Sequence, residues 1–269
     1  MNLLAVTWNV DPVFFSVGSL SIRYYSLCFI IAFFISYILF KRFFKDAGFK
    51  IELLDKLTFY YVIPATLIGA RLGHCLFYQP EYYLRHPLEI ILPFSNGEFV
   101  GYRGLASHGA AIGILIALIL YSRNNKISIL WLLDRIGIAV AISGSFVRLG
   151  NLMNSEVYGV ETDAPWGFIF VRAGEVVPKH PTQLYEGLSY LLIFILLYWL
   201  YRKKRNAIEP GVLFGVFLIL LFTARFLIEF IKEVQVEFEE GLFLVVGQWL
   251  SLPFILLGVV ILYMSLKQK

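Results

Sequence analysis

The chain has 269 residues, 59% of them hydrophobic and 16% charged, with a mean hydropathy of +0.73. Soluble domains run at about 45–50% apolar and about 25% charged, so a water-soluble globule is excluded. The net charge of +4 says little as a total, and no nucleic acid is expected as a partner.

The first 22 residues carry no Lys or Arg, unlike a signal peptide with a basic n-region. VFFSV, Gly18-Ser19 and LSIRYY predict a short hairpin or interfacial arm ahead of the first helix. Charge-poor runs such as LCFIIAFFISYILF and LSYLLIFILLYWL have the length of a bilayer crossing. Seven spans are placed near residues 24–40, 59–79, 105–121, 132–152, 183–201, 211–231 and 245–265. Cys28 and Cys75 lie inside such runs and read as small buried hydrophobes, not as a disulfide framework or metal cluster.

Seven spans put the termini on opposite sides. One set of loops and ends, including KRFFK, Arg123, Lys126 and RKKR at 202–205, holds 13 basic residues. The opposite set holds six, spread over longer segments, together with the acidic string EVQVEFEE. The positive-inside rule then places the N-terminus outside and the C-terminus in the cytoplasm. The expected fold is an all-α integral membrane protein of seven transmembrane helices. Residues from about 155 to 180, with the turn signal Pro165-Trp166-Gly167, would form a small extracytoplasmic head between spans four and five. No repeat, linker or low-complexity tract divides the chain, so residues 1–269 read as one polytopic domain.

An ionisable group inside a span is costly and is a functional hypothesis by default. Four stand out: Arg71 in GARLGH, His108 in SHGAAIG, Arg148 at the end of the fourth span and Arg225 in the sixth. The drawn topology puts all four toward the outer leaflet. Asn151 shares the helical face of Arg148, as Ser155 would if the helix ran on. GARLG and GAAIG are small-xxx-small patterns, so Arg71 and His108 are expected on tightly packed helices, pointing inward. Arg225 and Glu229, four apart, are also spaced to neutralise each other. Arg71 could snorkel toward headgroups or contact substrate. The Pro181 of HPTQLYE reads as a helix start.

Several arginines at one depth call for an anion, because guanidinium grips phosphate oxygens with paired donors. At outer-leaflet depth that anion is most simply a phospholipid headgroup. No metal-ligand spacing, Gly-rich phosphate loop or GxSxG elbow is present, so no metal, cofactor or covalent serine is expected.

RLGNLMNSEVYG at 148–159 resembles the signature of the phosphatidylglycerol–prolipoprotein diacylglyceryl transferase family. SIRYYSL, GARLGHCLFY, SHGAAIG, HPTQLYE and ARFLIEF resemble further family segments, in family order, from about residue 20 to the last span. Val147, Leu152, Ala110 and Leu221 depart from the usual Gly, Phe, Gly and Tyr. The resemblance implies a bacterial inner-membrane enzyme. It would move diacylglyceryl from phosphatidylglycerol to the lipobox cysteine thiol of prolipoprotein signal peptides and release glycerol 1-phosphate. It also implies roles: His108 as base, Arg148 and Arg225 as phosphate stabilisers, with Asn151, Asn154 and Glu156 orienting them and Tyr25 at the headgroup. Arg71 and Glu229 complete the expected substrate-binding set. The competing reading is an anionic phospholipid-binding transporter or flippase, whose inverted repeats the chain lacks.

Overall fold

The structure, a computed structural model, describes residues 5–18, 20–92, 94–95, 98–99, 104–204, 207–234 and 243–267. Most of EVQVEFEE, with Arg103, Arg205 and Lys269, lies outside the described residues. The chain divides into two compact units, Met1–Phe43 with Leu133–Lys269, and Phe44–Leu132.

The larger unit opens with the expected hairpin. β2 (Val13–Val17) pairs antiparallel with β3 (Leu20–Arg23) around Gly18, whose φ of +58° suits glycine. Ahead of it β1 (Val6–Trp8) runs parallel to β4 (Phe168–Phe170) in the loop region between spans four and five. The Trp8 indole N–H donates to the Leu152 carbonyl at 3.0 Å, fastening that strand to the end of α7 (Ile129–Met153). The Pro165-Trp166-Gly167 signal forms the turn, closed by Gly167 N–H donating to Ala164 O at 2.9 Å.

The long helices of this unit are apolar with small residues where they touch. α8 (Thr182–Lys204) starts directly after Pro181, as expected. A Cβ at Gly144 of α7 would lie 2.9 Å from the Tyr190 ring of α8, so only glycine lets that ring lie against the backbone. α9 (Val212–Ile228) and α10 (Val246–Lys267) meet at Gly215 and Gly258, with Phe222 stacked on Phe254 at 4.4 Å. The N-terminus of α9 is capped from another helix. The Asp134 carboxylate accepts from Gly211 N–H at 2.9 Å and Phe214 N–H at 2.8 Å, satisfying donors a helix start leaves open. Outward faces are bare hydrocarbon: Trp249, Leu256 and Tyr263 of α10 are all exposed.

The smaller unit is a pair of packed helices with short additions. A continuous helical stretch runs through α2 (Ile51–Asp55), a π-helical segment Lys56–Val62 and α3 (Ile63–Phe77). Pro64 has no N–H for the carbonyl one turn back, and the wide π turn precedes it. α4 (Pro80–Arg85) and α5 (Leu88–Ile91) follow, then α6 (Ser107–Asn125). α3 and α6 meet glycine on glycine: a Cβ at Gly73 would lie 2.7 Å from Gly109 Cα. The small-xxx-small reading of GARLG and GAAIG thus holds as backbone contact.

Five helices among the described residues are long and apolar enough to cross a membrane: α1 (Tyr24–Asp46), α7, α8, the run Val212–Ile231 and α10. The other two expected spans are helical but fall short as single apolar helices. The π segment breaks the one near residues 59–79. The other carries Ser107-His108 at its start and Arg123-Asn124-Asn125 at its end.

Candidate active site

Arg148 lies five residues before the end of α7, and the chain beyond folds back on it. Ser155 and Val157 take φ of +54° and +63°. The left-handed region is strained for a β-branched residue, and such strain persists only where surroundings enforce it. Here the first turn of α8 does so: Thr182 Oγ1 donates to Val157 O at 2.9 Å and Gln183 Nε2 to Glu156 O at 2.7 Å. The return brings the signature side chains into one chain of hydrogen bonds. Arg148 Nη1 donates to Asn151 Oδ1 at 3.2 Å, and Asn151 Nδ2 to Glu156 Oε1 at 2.8 Å. Asn154 Nδ2 donates to the same Glu156 oxygen at 3.2 Å. Tyr25 of α1 lies against Gly150, where a Cβ would stand 2.8 Å from its ring.

Beyond its own helical face, Arg148 finds a counter-charge on α8. Its Nε sits 2.6 Å from Glu186 Oε2, and the Glu186 side chain is wholly buried. Lys232 Nζ is 3.7 Å from the other Glu186 oxygen and 3.4 Å from Glu229 Oε2. Glu229 therefore pairs with Lys232, not with Arg225 as the four-residue spacing predicted. The reason is local: α9 stops at Ile228 and Glu229 begins a 3-10 turn, which redirects its side chain toward Lys232 and against Gly247. The charges of Arg148 and Arg225 both reach the Tyr190 phenol, one turn beyond Glu186 on α8. Arg148 and Lys232 thus stand at the two oxygens of Glu186, with Glu229 beside Lys232. Glu156 stands exposed at the edge, shared by two amides.

The backbone of Lys232 is itself pinned. Val160 N–H donates to Ile231 O at 3.0 Å and Glu233 N–H to Tyr158 O at 3.3 Å, so the chain after α9 pairs with residues of the 155–180 segment. Beside it the buried Lys179 ammonium lies 2.8 Å from Glu233 and 3.4 Å from Glu175. Burial alone would lower the pKa of Lys179, but the two carboxylates outweigh it and hold it above the usual lysine value. Tyr158, half-buried and donating to Glu175 at 2.7 Å, has its phenol pKa pushed up by desolvation first and by that carboxylate second.

The smaller unit holds the other two candidates. Arg71 is buried on α3, but its guanidinium serves backbone: Nη2 donates to Glu89 O at 2.6 Å and Nε to Ile90 O at 3.1 Å. It also lies over the Tyr83 ring at 4.9 Å. It ties α5 to α3 along a cavity of about 290 Å³. His108 is on the first turn of α6 and exposed, which corrects the expectation that it points inward with Arg71.

Sequence reasoning passed over Glu186, Lys232 and Tyr190. Glu186 was legible: it is a carboxylate in an apolar helix, five residues beyond Pro181, which is a functional hypothesis by default. Lys232 was counted only as a loop charge. Among the described residues no group of three or more His, Cys, Asp or Glu side chains could hold a metal ion.

Compared with known families, residues 12–264 match the model of the family described as prolipoprotein diacylglyceryl transferase. Curated relatives similar along their whole length include one from Bacteroides fragilis, 43% identical over 99% of this chain and 98% of its own. One from Tolumonas auensis is 44% identical over 97% and 98%, and one from Chloroherpeton thalassium 43% over 98% and 95%. All three carry the name phosphatidylglycerol–prolipoprotein diacylglyceryl transferase.

Proposed function

The chain belongs to the prolipoprotein diacylglyceryl transferase family, and from that premise we propose how its residues carry out the transfer. The enzyme moves the diacylglyceryl group of phosphatidylglycerol to a prolipoprotein. In the reaction, the sulfur of the substrate's lipobox cysteine attacks the glycerol carbon that bears the phosphate. A C–S thioether bond forms and the C–O bond to phosphate breaks. Its electron pair leaves with glycerol 1-phosphate, and the thiol proton passes to a base. Because the nucleophile is the substrate's own thiol, the chain needs no catalytic serine or cysteine.

A thiol attacks as thiolate. His108, exposed on the first turn of α6, is the group assigned to take its proton. Negative charge grows on the departing phosphate, and fixed cations placed where charge develops supply the largest stabilisation in such reactions. The observation that carries the reading is Arg148 and Lys232 meeting on the one buried carboxylate of Glu186, with the charge of Arg225 reaching Tyr190 one turn along the same helix. Asn151, Asn154 and Glu156 hold Arg148 in line, and Tyr25 lies beside them on α1.

The membrane setting belongs to the same reading. Seven spans, the N-terminus outside and the 155–180 segment as an external head place the Arg148 end of α7 at the outer leaflet of a bacterial inner membrane. There both the lipid and a translocated signal peptide are present. The test is direct: purified protein, phosphatidylglycerol vesicles and a lipobox peptide should yield glycerol phosphate and a thioether-linked peptide. The yield should survive exhaustive chelation. No product, or activity that returns only with one added divalent ion, overturns the scheme.

A further inference from the structure

The Arg148–Glu186 pair poses a problem for the transfer. A guanidinium held 2.6 Å from a wholly buried carboxylate already has its counter-charge, although neither Glu186 oxygen has a hydrogen-bond partner. To turn toward a lipid phosphate it must leave that carboxylate behind, and a buried charge stripped of its partner is strongly unfavourable. Lys232 answers this. Its side chain is 7% exposed, and its ammonium stands 3.7 Å from the Glu186 oxygen that Arg148 does not use. It reaches this place from a backbone pinned to the 155–180 segment, and Glu229 at 3.4 Å holds it from the other side. Gly247 packs directly against that Glu229 carboxylate, so the pair is fixed on the far side as well.

We propose that Glu186 and Lys232 are a positioning pair for the reaction: Glu186 holds Arg148 in register, and Lys232 takes over its charge when Arg148 engages the phosphate. The inference rests on the transferase reading above and adds two residues to it, neither touching the reacting atoms. The 3.7 Å gap fits the role. It is too long for the ammonium to compete with Arg148 in the resting state, yet one small side-chain movement closes it to hydrogen-bond distance.

The scheme predicts an interaction between mutations that a simple structural bridge does not give. Without Lys232, Arg148 is locked onto Glu186; if Glu186 is then made neutral, the lock is gone. Full-length protein in phosphatidylglycerol vesicles is given a lipobox peptide, and glycerol phosphate release is measured alongside thermal unfolding. Lys232→Gln should lose roughly tenfold to a hundredfold in rate, and Lys232→Arg should stay within about threefold of the parent. The double variant Glu186→Gln/Lys232→Gln should be faster than Lys232→Gln alone. A Lys232→Gln protein at parental rate overturns the proposal. So does a folded double variant no faster than the single one, which would put Lys232 directly on the phosphate. A double variant that does not fold also overturns it, since the pair would then be a plain structural bridge. If the parent chain itself releases no glycerol phosphate, it is the transferase reading that fails.

Discussion

Replacing Arg148 by lysine keeps the charge and removes the planar fork. The guanidinium presents Nε to Glu186 and Nη1 to Asn151; an ammonium is a single point charge and cannot offer a phosphate the paired donors of that fork. Two charge-assisted hydrogen bonds at about 1.5–3 kcal/mol each correspond to a hundredfold loss or more. Arg148→Lys should therefore insert and melt like the parent while glycerol phosphate release falls by at least about a hundredfold. Release at near-parental rate would make Arg148 structural. A second expectation at this scale concerns pH. Lys179 and Tyr158 both have pKa values raised in the folded chain, so the folded state keeps protons that the unfolded state has released. Their contribution is full below the unfolded values of about 10 to 10.4 and is lost as pH rises through the folded ones. The melting temperature should fall between about pH 10 and 11, and less steeply in Lys179→Met. An equal slope in the two proteins would contradict the assignment.

At the scale of elements, the α3–α6 contact is backbone on backbone. A methyl at Gly109 would press into the Gly69 carbonyl and stand 2.7 Å from Gly73 Cα. Neither neighbour is a side chain that can swing away, so the helices must separate. Overpacking of this kind costs about 1–3 kcal/mol. Gly109→Ala should lower the melting temperature, whereas Gly187→Ala, whose Cβ would meet nothing closer than Arg148 Cβ at 3.5 Å, should not. Equal stability of the two variants would show that the close approach is not required. Gly69, Gly73, Gly109 and Gly113 were visible as a pattern four residues apart. The return of the chain after Met153 was not visible, because it depends on Ser155 and Val157 in left-handed conformations that nothing in their side chains favours.

For the whole molecule the open matter is its course through the bilayer, where the 13-to-6 distribution of basic residues supports the proposed orientation. A cysteine introduced at Lys204 should be shielded from an impermeant thiol reagent in intact cells, and one at Asp163 should be labelled. The reverse result sinks the outer-leaflet site.

What the sequence by itself determined is the class of molecule and the list of polar residues. Long apolar runs must be helices in lipid, because every backbone donor has to be satisfied within its own segment, and α1, α7, α8, α9 and α10 lie where those runs predicted. The signature around Arg148, the hairpin before α1 and the start of α8 after Pro181 were legible for the same kind of local reason. Which charge meets which was decided only by the tertiary structure. Arg148 and Glu186 are 38 residues apart on different helices, and Glu229 is turned from Arg225 to Lys232 by the point at which α9 ends. Spacing along one helix describes only neighbours on that helix. Partners across helices are set by how glycines such as Gly144 and Gly150 let the helices approach, and that packing is a property of the fold.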